Sequence, residues 1–143
     1  MAEVNKSVLV AHSAAKMFAL VDAVEQYPKF LPWCDCTNVL MRDPQITRAT
    51  IHINYRGIRQ SFTTENSKRA PQLMEIALVE GPFRSLHGSW RFTDFGGAGC
   101  KVELGLHYDF ASSLLERVVG PVFGHIANGL VDAFVKRAGG VHG

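Results

Sequence analysis

Between Cys34 and Phe110, apolar residues recur at every second position in one segment after another, with only short turns between. A period of two puts apolar side chains on one face of an extended strand and polar ones on the other, the pattern of a half-buried antiparallel sheet. In "ITRATIHINYR", Ala49, Ile51, Ile53 and Tyr55 share one side, and Arg48, Thr50, His52, Asn54 and Arg56 share the other. "IRQSFTTENS" follows across Gly57, and then "QLMEIALVE". "FRSLHGSWRFTDF" sets Leu86, Trp90 and Phe92 against His87, Ser89 and Arg91. "CKVELGLHYDF" sets Val102, Leu104, Leu106, Tyr108 and Phe110 against Lys101, Glu103, His107 and Asp109. The Gly-rich "DFGGAGC" between these two is a hairpin turn. About six consecutive strands with short turns make a meander.

Helices flank this meander. "EVNKSVLVA" reads as a first strand, followed by Ser13 as the N-cap of a helix in which Met17, Leu20, Val21 and Val24 fall on one face. "QYPKFLPWC", residues 26 to 34, gathers Tyr27, Phe30, Leu31 and Trp33 around two prolines. Each proline disfavours helical backbone in the residue before it, so the segment is expected to be a turn or one short helical piece beginning near Pro28. After the strands, Ser113-Leu-Leu-Glu116 has the form of a capping box, and Gly120-Pro121 is expected to break or kink the helix that continues to about Ala138. Val119, Phe123, Ile126, Leu130 and Phe134 share one stripe of it. Gly129 and Ala133 sit at the stripe's edge, where they either let helix and sheet approach closely or leave room for something else. Arg137 projects near the stripe in the last turn, reaching for water or guarding one end of a cavity.

Composition narrows the class. At 143 residues the chain suits one domain spanning 1–143, and 47% hydrophobic with 20% charged residues fits neither a disordered chain nor a membrane protein. The N-terminus lacks the apolar core of a secretory signal, and "VVGPVFGHIANGLV" is interrupted by Gly, Pro, His and Asn well short of a bilayer span. A soluble cytoplasmic protein is expected, with Cys34, Cys36 and Cys100 as buried free thiols. The formal net charge is only +2, but Arg42, Arg48, Arg56, Arg59, Lys68 and Arg69 face only Asp43 and Glu65 between positions 42 and 69. The inward faces offer Tyr55, Trp90, Tyr108 and aliphatic groups, without a carboxylate pair or a histidine, and His52, His87 and His107 alternate onto polar faces. Neither catalysis nor a metal site is expected.

Four separated motifs, "YPKFLPWC" (27–34), "GPFRSLHGSWRF" (81–92), "CKVELGLHYDF" (100–110) and "AFVKRA" (133–138), together resemble the coenzyme-Q-binding and ribosome-association-toxin branch of the polyketide cyclase and lipid transport superfamily. The resemblance covers essentially the whole chain. It implies an α+β START or helix-grip fold, in which a curved antiparallel sheet wraps around the long C-terminal helix and encloses an apolar cavity.

It also implies two jobs. Eukaryotic relatives bind ubiquinone and support its delivery to respiration, whereas a bacterial relative binds the large ribosomal subunit and blocks subunit joining. The first implies a hydrophobic ligand, ubiquinone or another polyprenyl lipid, with no other cofactor. The candidate contacts are Tyr27, Phe30, Leu31, Trp33, Tyr55, Phe83, Trp90, Tyr108, Phe123, Leu130, Phe134 and Arg137. Tyr55, Tyr108, Trp90 or Arg137 would supply a donor to the head group, and Tyr27, Phe30, Leu31 and Trp33 would form a rim able to touch a membrane surface, peripheral to the inner membrane. The second implies the large ribosomal subunit as partner, with Arg48, His52, Arg56 and Arg59 as a phosphate-contacting stripe.

Overall fold

The structure, a computed structural model, describes residues 2–142. β1 (Ala2–Val10) leads into α1 (Ala14–Asp22) and a 3-10 turn (Val24–Lys29). Six strands follow, β2 (Cys34–Arg42), β3 (Ile46–Tyr55), β4 (Ile58–Arg69), β5 (Leu73–Glu80), β6 (Phe83–Asp94) and β7 (Cys100–Phe110), and α2 (Ser113–His142) closes the chain. The sheet runs β1-β7-β6-β5-β4-β3-β2, antiparallel throughout. This is the helix-grip arrangement, with the six-strand meander where the period of two placed it.

Two local features set the sheet's shape. Tyr55 pairs with Ile58 across the two-residue turn Arg56-Gly57, both with positive φ (51° and 80°), the conformation whose twist suits a tight hairpin. That turn fixes the β3–β4 register, bringing Ala49 opposite Thr64 and Thr47 opposite Asn66. At Gly88 a Cβ would lie 2.2 Å from the carbonyl oxygen of Gly105, so β6 and β7 approach there only because position 88 lacks a side chain.

The core has two parts. One gathers Met17, Phe18 and Val21 of α1, Tyr27, Leu31, Trp90, Phe92 and Phe134. The other gathers Val4, Leu86, Tyr108, Phe110 and Phe123 with Phe83. Trp33 and Ile76 are packed against both.

Four expectations are corrected by tertiary packing. Gly120-Pro121 does not interrupt α2, which runs unbroken from Ser113 to His142. A proline inside a helix costs roughly 3 kcal/mol or more, but Val119, Phe123, Ile126 and Ala127 are all buried around it and hold the helix on the sheet. Residues 113–140 are therefore long and apolar enough by length and composition to cross a bilayer, although the face carrying these side chains is packed in the core. The cap of α2 is Ser112, whose Oγ accepts from the Leu115 amide at 3.2 Å, and not Ser113. The 3-10 turn starts at Val24, four residues before Pro28. Tyr27 takes helical backbone despite the proline after it because its ring is buried against Phe134 (5.4 Å) and its hydroxyl donates to the carbonyl of Val21. Finally, Cys34 and Cys100 are buried, but Cys36 is exposed just past a bulge in edge strand β2. Burial pushes the Cys34 thiol up to about 12.

Ser13 caps α1 as expected, its Oγ accepting from the Lys16 amide at 3.2 Å. The other end of α1 is tied down by charge. Asp22 accepts from Lys68 Nζ at 3.2 and 3.3 Å and from Thr47 Oγ1 at 3.0 Å, joining α1 to β3 and β4. The Lys68 side chain is only 4% exposed and that of Asp22 is 23% exposed.

Candidate ligand cavity

Where the two core clusters meet, sheet and helix do not fill the space between them. A cavity of about 90 Å³ lies there, walled by Val21, Tyr27, Trp33, Ile51, Phe62, Thr64, Asn66, Ile76, Leu86, Trp90, Leu106, Phe123, Ile126, Ala127, Leu130 and Phe134. α1 and the 3-10 turn close one end, alternate residues of β3 to β7 form the curved wall, and α2 forms the floor. The small residue that keeps this space open is Ala127, fully buried on α2. Gly129, expected at the stripe's edge, is exposed and has nothing within 4 Å of a built Cβ. Ala133 packs against the α1-side core.

Of the expected contacts, Tyr27, Trp33, Trp90, Phe123, Leu130 and Phe134 line this cavity. The other six stand elsewhere. Leu31 is buried beneath the 3-10 turn in the α1-side core. Phe30 packs edge-on to Tyr27 and Phe134, one layer behind the wall, and the Arg137 guanidinium lies 5.0 Å above its ring. That contact fixes Arg137 on Phe30 rather than in the cavity, with its Nε buried and lacking a hydrogen-bond partner. Phe83 and Tyr108 belong to the second core, each within 5 Å of Phe123. Burial there raises the pKa of the Tyr108 phenol. Tyr55 stacks on His125 of α2 at 5.9 Å and carries Arg56 at 5.1 Å on its ring, outside the cavity. The expected rim is thus half packed away: Tyr27 and Leu31 are buried, and Phe30 and Trp33 keep part of their surface.

Ten of the sixteen lining residues were not among the expected contacts, and two of these, Thr64 and Asn66, are polar. They come from "FTTENSK", where both faces of β4 are polar and alternation carries no signal. The two-residue Arg56-Gly57 turn contained the answer, since counting back through the hairpin places Thr64 opposite Ala49, on the inward face. The wall otherwise holds no carboxylate, imidazole, thiol, amine or guanidinium. Among the described residues no group of three or more His, Cys, Asp or Glu is placed to hold a metal ion.

The basic stripe is also changed by pairing. Arg48 reaches Glu65 at 2.6 Å and Arg42 reaches Glu25 at 2.6 Å, so with Lys68 three of the six cations between 42 and 69 are neutralised. His52 Nε2 lies 2.9 Å from Asn38 Nδ2. Arg56 and Arg59 form no ion pair among the described residues, and Arg59 borders an open groove of about 740 Å³ that also holds His52, Asn54, Asp35 and Glu80.

Residues 10–135 match the family described as polyketide cyclase / dehydrase and lipid transport. The chain is 39% identical over 143 residues to the "Ribosome association toxin RatA" of Vibrio cholerae, covering all of this chain and 99% of that one. It is 26% identical to the "Coenzyme Q-binding protein COQ10 homolog B, mitochondrial" of Xenopus laevis, covering 99% of this chain and 59% of that protein. Among solved structures, a START superfamily protein from Mycobacterium smegmatis superposes with a TM-score of 0.78 at 21% identity, covering 94% and 95% of the two chains. The Zhui aromatase/cyclase from Streptomyces sp. R1128 also superposes at 0.78, with 16% identity and 96% and 93% coverage.

Proposed function

Because the chain belongs to the polyketide cyclase / dehydrase and lipid transport family, we propose that it binds an apolar molecule of the ubiquinone or polyprenyl-lipid kind in the cavity between sheet and α2, without converting it. The cavity wall carries this proposal. Fourteen of its sixteen residues are apolar or aromatic, and none is a carboxylate, imidazole, thiol or amine that would serve as general acid or base. Tyr27, the one phenol in the wall, is committed to the carbonyl of Val21, and burial raises its pKa. Apolar area removed from water contributes about 25 cal/mol per Å², so 100 Å² of ligand contributes about 2.5 kcal/mol. The cavity's 90 Å³ sets a limit. Sites for drug-sized ligands run to roughly 300–1,000 Å³. The space therefore takes a head group or a short apolar fragment, and a longer tail leaves past the half-buried Trp33 and Leu130. The protein works in the cytoplasm, touching the membrane surface transiently to load its ligand.

Organic extracts of gently purified protein, analysed by mass spectrometry, are expected to contain a quinone or polyprenyl lipid. Ala127→Phe fills the cavity and is expected to lower that content at least tenfold with the circular dichroism spectrum intact. An extract without such a lipid, or equal content in the variant, would refute the proposal.

A second reading is association with the large ribosomal subunit, supported by relatives at 36–39% identity, matched over 87–99% of their length, that bear the ribosome-association name. Arg56 and Arg59 carry it, since Arg48 is engaged by Glu65. Arg56→Glu with Arg59→Glu is expected to reduce co-sedimentation with large subunits at low salt at least tenfold. Unchanged sedimentation of the variant, or no sedimentation of the parent, would dismiss it.

A further inference from the structure

On the reading that the cavity holds a ligand, we infer that this ligand carries a hydroxyl or N–H donor on its otherwise apolar skeleton, and that Asn66 Oδ1 accepts it. Asn66 lines the cavity, and its Oδ1 is buried without a hydrogen-bond partner, so a ligand donor meets it as the wall yields to admit the ligand. The other end of the same amide is engaged: Nδ2 donates to Met74 Sδ at 3.6 Å. A thioether sulfur only accepts, so this contact sets the amide's orientation and leaves the carbonyl end as the unused one.

A buried acceptor left unpaired is unfavourable, and native structures keep few of them. A water is the competing partner. Buried waters typically make about three hydrogen bonds, and the polar groups of the wall are Thr64, Asn66, the committed Tyr27 hydroxyl and the indole N–H groups of Trp33 and Trp90. A ligand hydroxyl needs fewer partners, because the rest of the molecule is held by the aromatic and aliphatic wall. Thr64 lies two positions along β4 on the same face, and its hydroxyl both donates and accepts. Donor-bearing ligands such as phenols, alcohols and the reduced, dihydroxy form of a quinone match this pair. A molecule offering only carbonyl oxygens leaves Asn66 Oδ1 unpaired.

The test is a methyl-detected NMR titration with 4-ethylphenol and 4-ethyltoluene, which differ by a hydroxyl in place of a methyl, followed at Ile51, Ile76 and Leu86. A purely apolar hollow prefers the toluene, which is the easier to desolvate. The parent protein is expected to prefer the phenol by about tenfold, and Asn66→Leu to reverse the order while still binding the toluene. Toluene binding as tightly as phenol in the parent overturns this inference and leaves the cavity proposal standing. A phenol preference that survives in Asn66→Leu also overturns it. Neither compound shifting any of these methyls overturns the cavity proposal itself. Should Asn66→Leu fail to fold, the order of the two ligands on the parent protein decides.

Discussion

Phe134→Ala is expected to destabilise the protein by about 3–5 kcal/mol, read as a lower midpoint in urea with an unchanged slope. Phe134 is 1% exposed and is the ring on which the α1 side of the core converges. Tyr27, Phe30 and Trp90 each meet it edge to face with centroids 5.4 Å apart. Truncation removes the ring's own burial and also three aromatic contacts of roughly 0.5–1.5 kcal/mol each. These contacts join α2, the 3-10 turn and β6, so the surrounding rings cannot close the gap without moving whole elements. A loss below about 1 kcal/mol would mean that the core is loosely packed here and that Phe134 does not hold these three elements together.

The second large effect concerns charge. Asp22→Ala is expected to cost about 3 kcal/mol or more, because it strands the Lys68 ammonium in a nearly dry site and takes an acceptor from Thr47. Lys68→Met is expected to cost less, since the carboxylate left behind is 23% exposed and reaches water. The double variant Asp22→Ala/Lys68→Met is expected to recover most of the loss, because no charge is then left buried without its partner, although Thr47 still lacks its acceptor. Chemical denaturation of the three variants against the parent measures the coupling. If the double variant is as unstable as the sum of the singles, the pair does not act as a unit, and its role in tying α1 to β3 and β4 fails.

Legibility tracked how strongly each segment contrasts its two faces. β6 and β7 alternate cleanly, and Leu86, Trp90, Phe92, Val102, Leu104 and Leu106 are all buried as their spacing requires. The helix stripe was readable to within one position: Val119, Phe123, Ile126 and Phe134 are buried, but Val131 takes the fully buried place expected of Leu130, which stands half-exposed at the cavity. β4 was opaque in this respect, because Thr64, Asn66 and Lys68 point inward with polar groups. A polar side chain faces inward when a partner or a ligand offsets its desolvation, and partners distant in the chain leave no local trace. The partner of Lys68 is 46 residues away in Asp22.

Pairing likewise redrew the basic stripe. Six cations against two acids between positions 42 and 69 looked like a phosphate-binding face, yet Glu25 and Asp22 lie outside that window and neutralise Arg42 and Lys68. Inside it, cross-strand register sets Glu65 directly opposite Arg48. What remains for a polyanion is Arg56 and Arg59 at the β3–β4 turn, with Arg69 exposed at the far end of β4.

The chain alone determined the meander, the covering helix, the Ser13 cap and the family, since each rests on local periodicity, turn chemistry or motifs that survive without knowledge of neighbours. Only the folded molecule decided that α2 continues through Pro121, which charges are free, how small the cavity is and which polar groups look into it. Those outcomes depend on the free energy of contacts between segments far apart in the chain, where burial, ion pairing and the space left by one methyl group on Ala127 outweigh local preference.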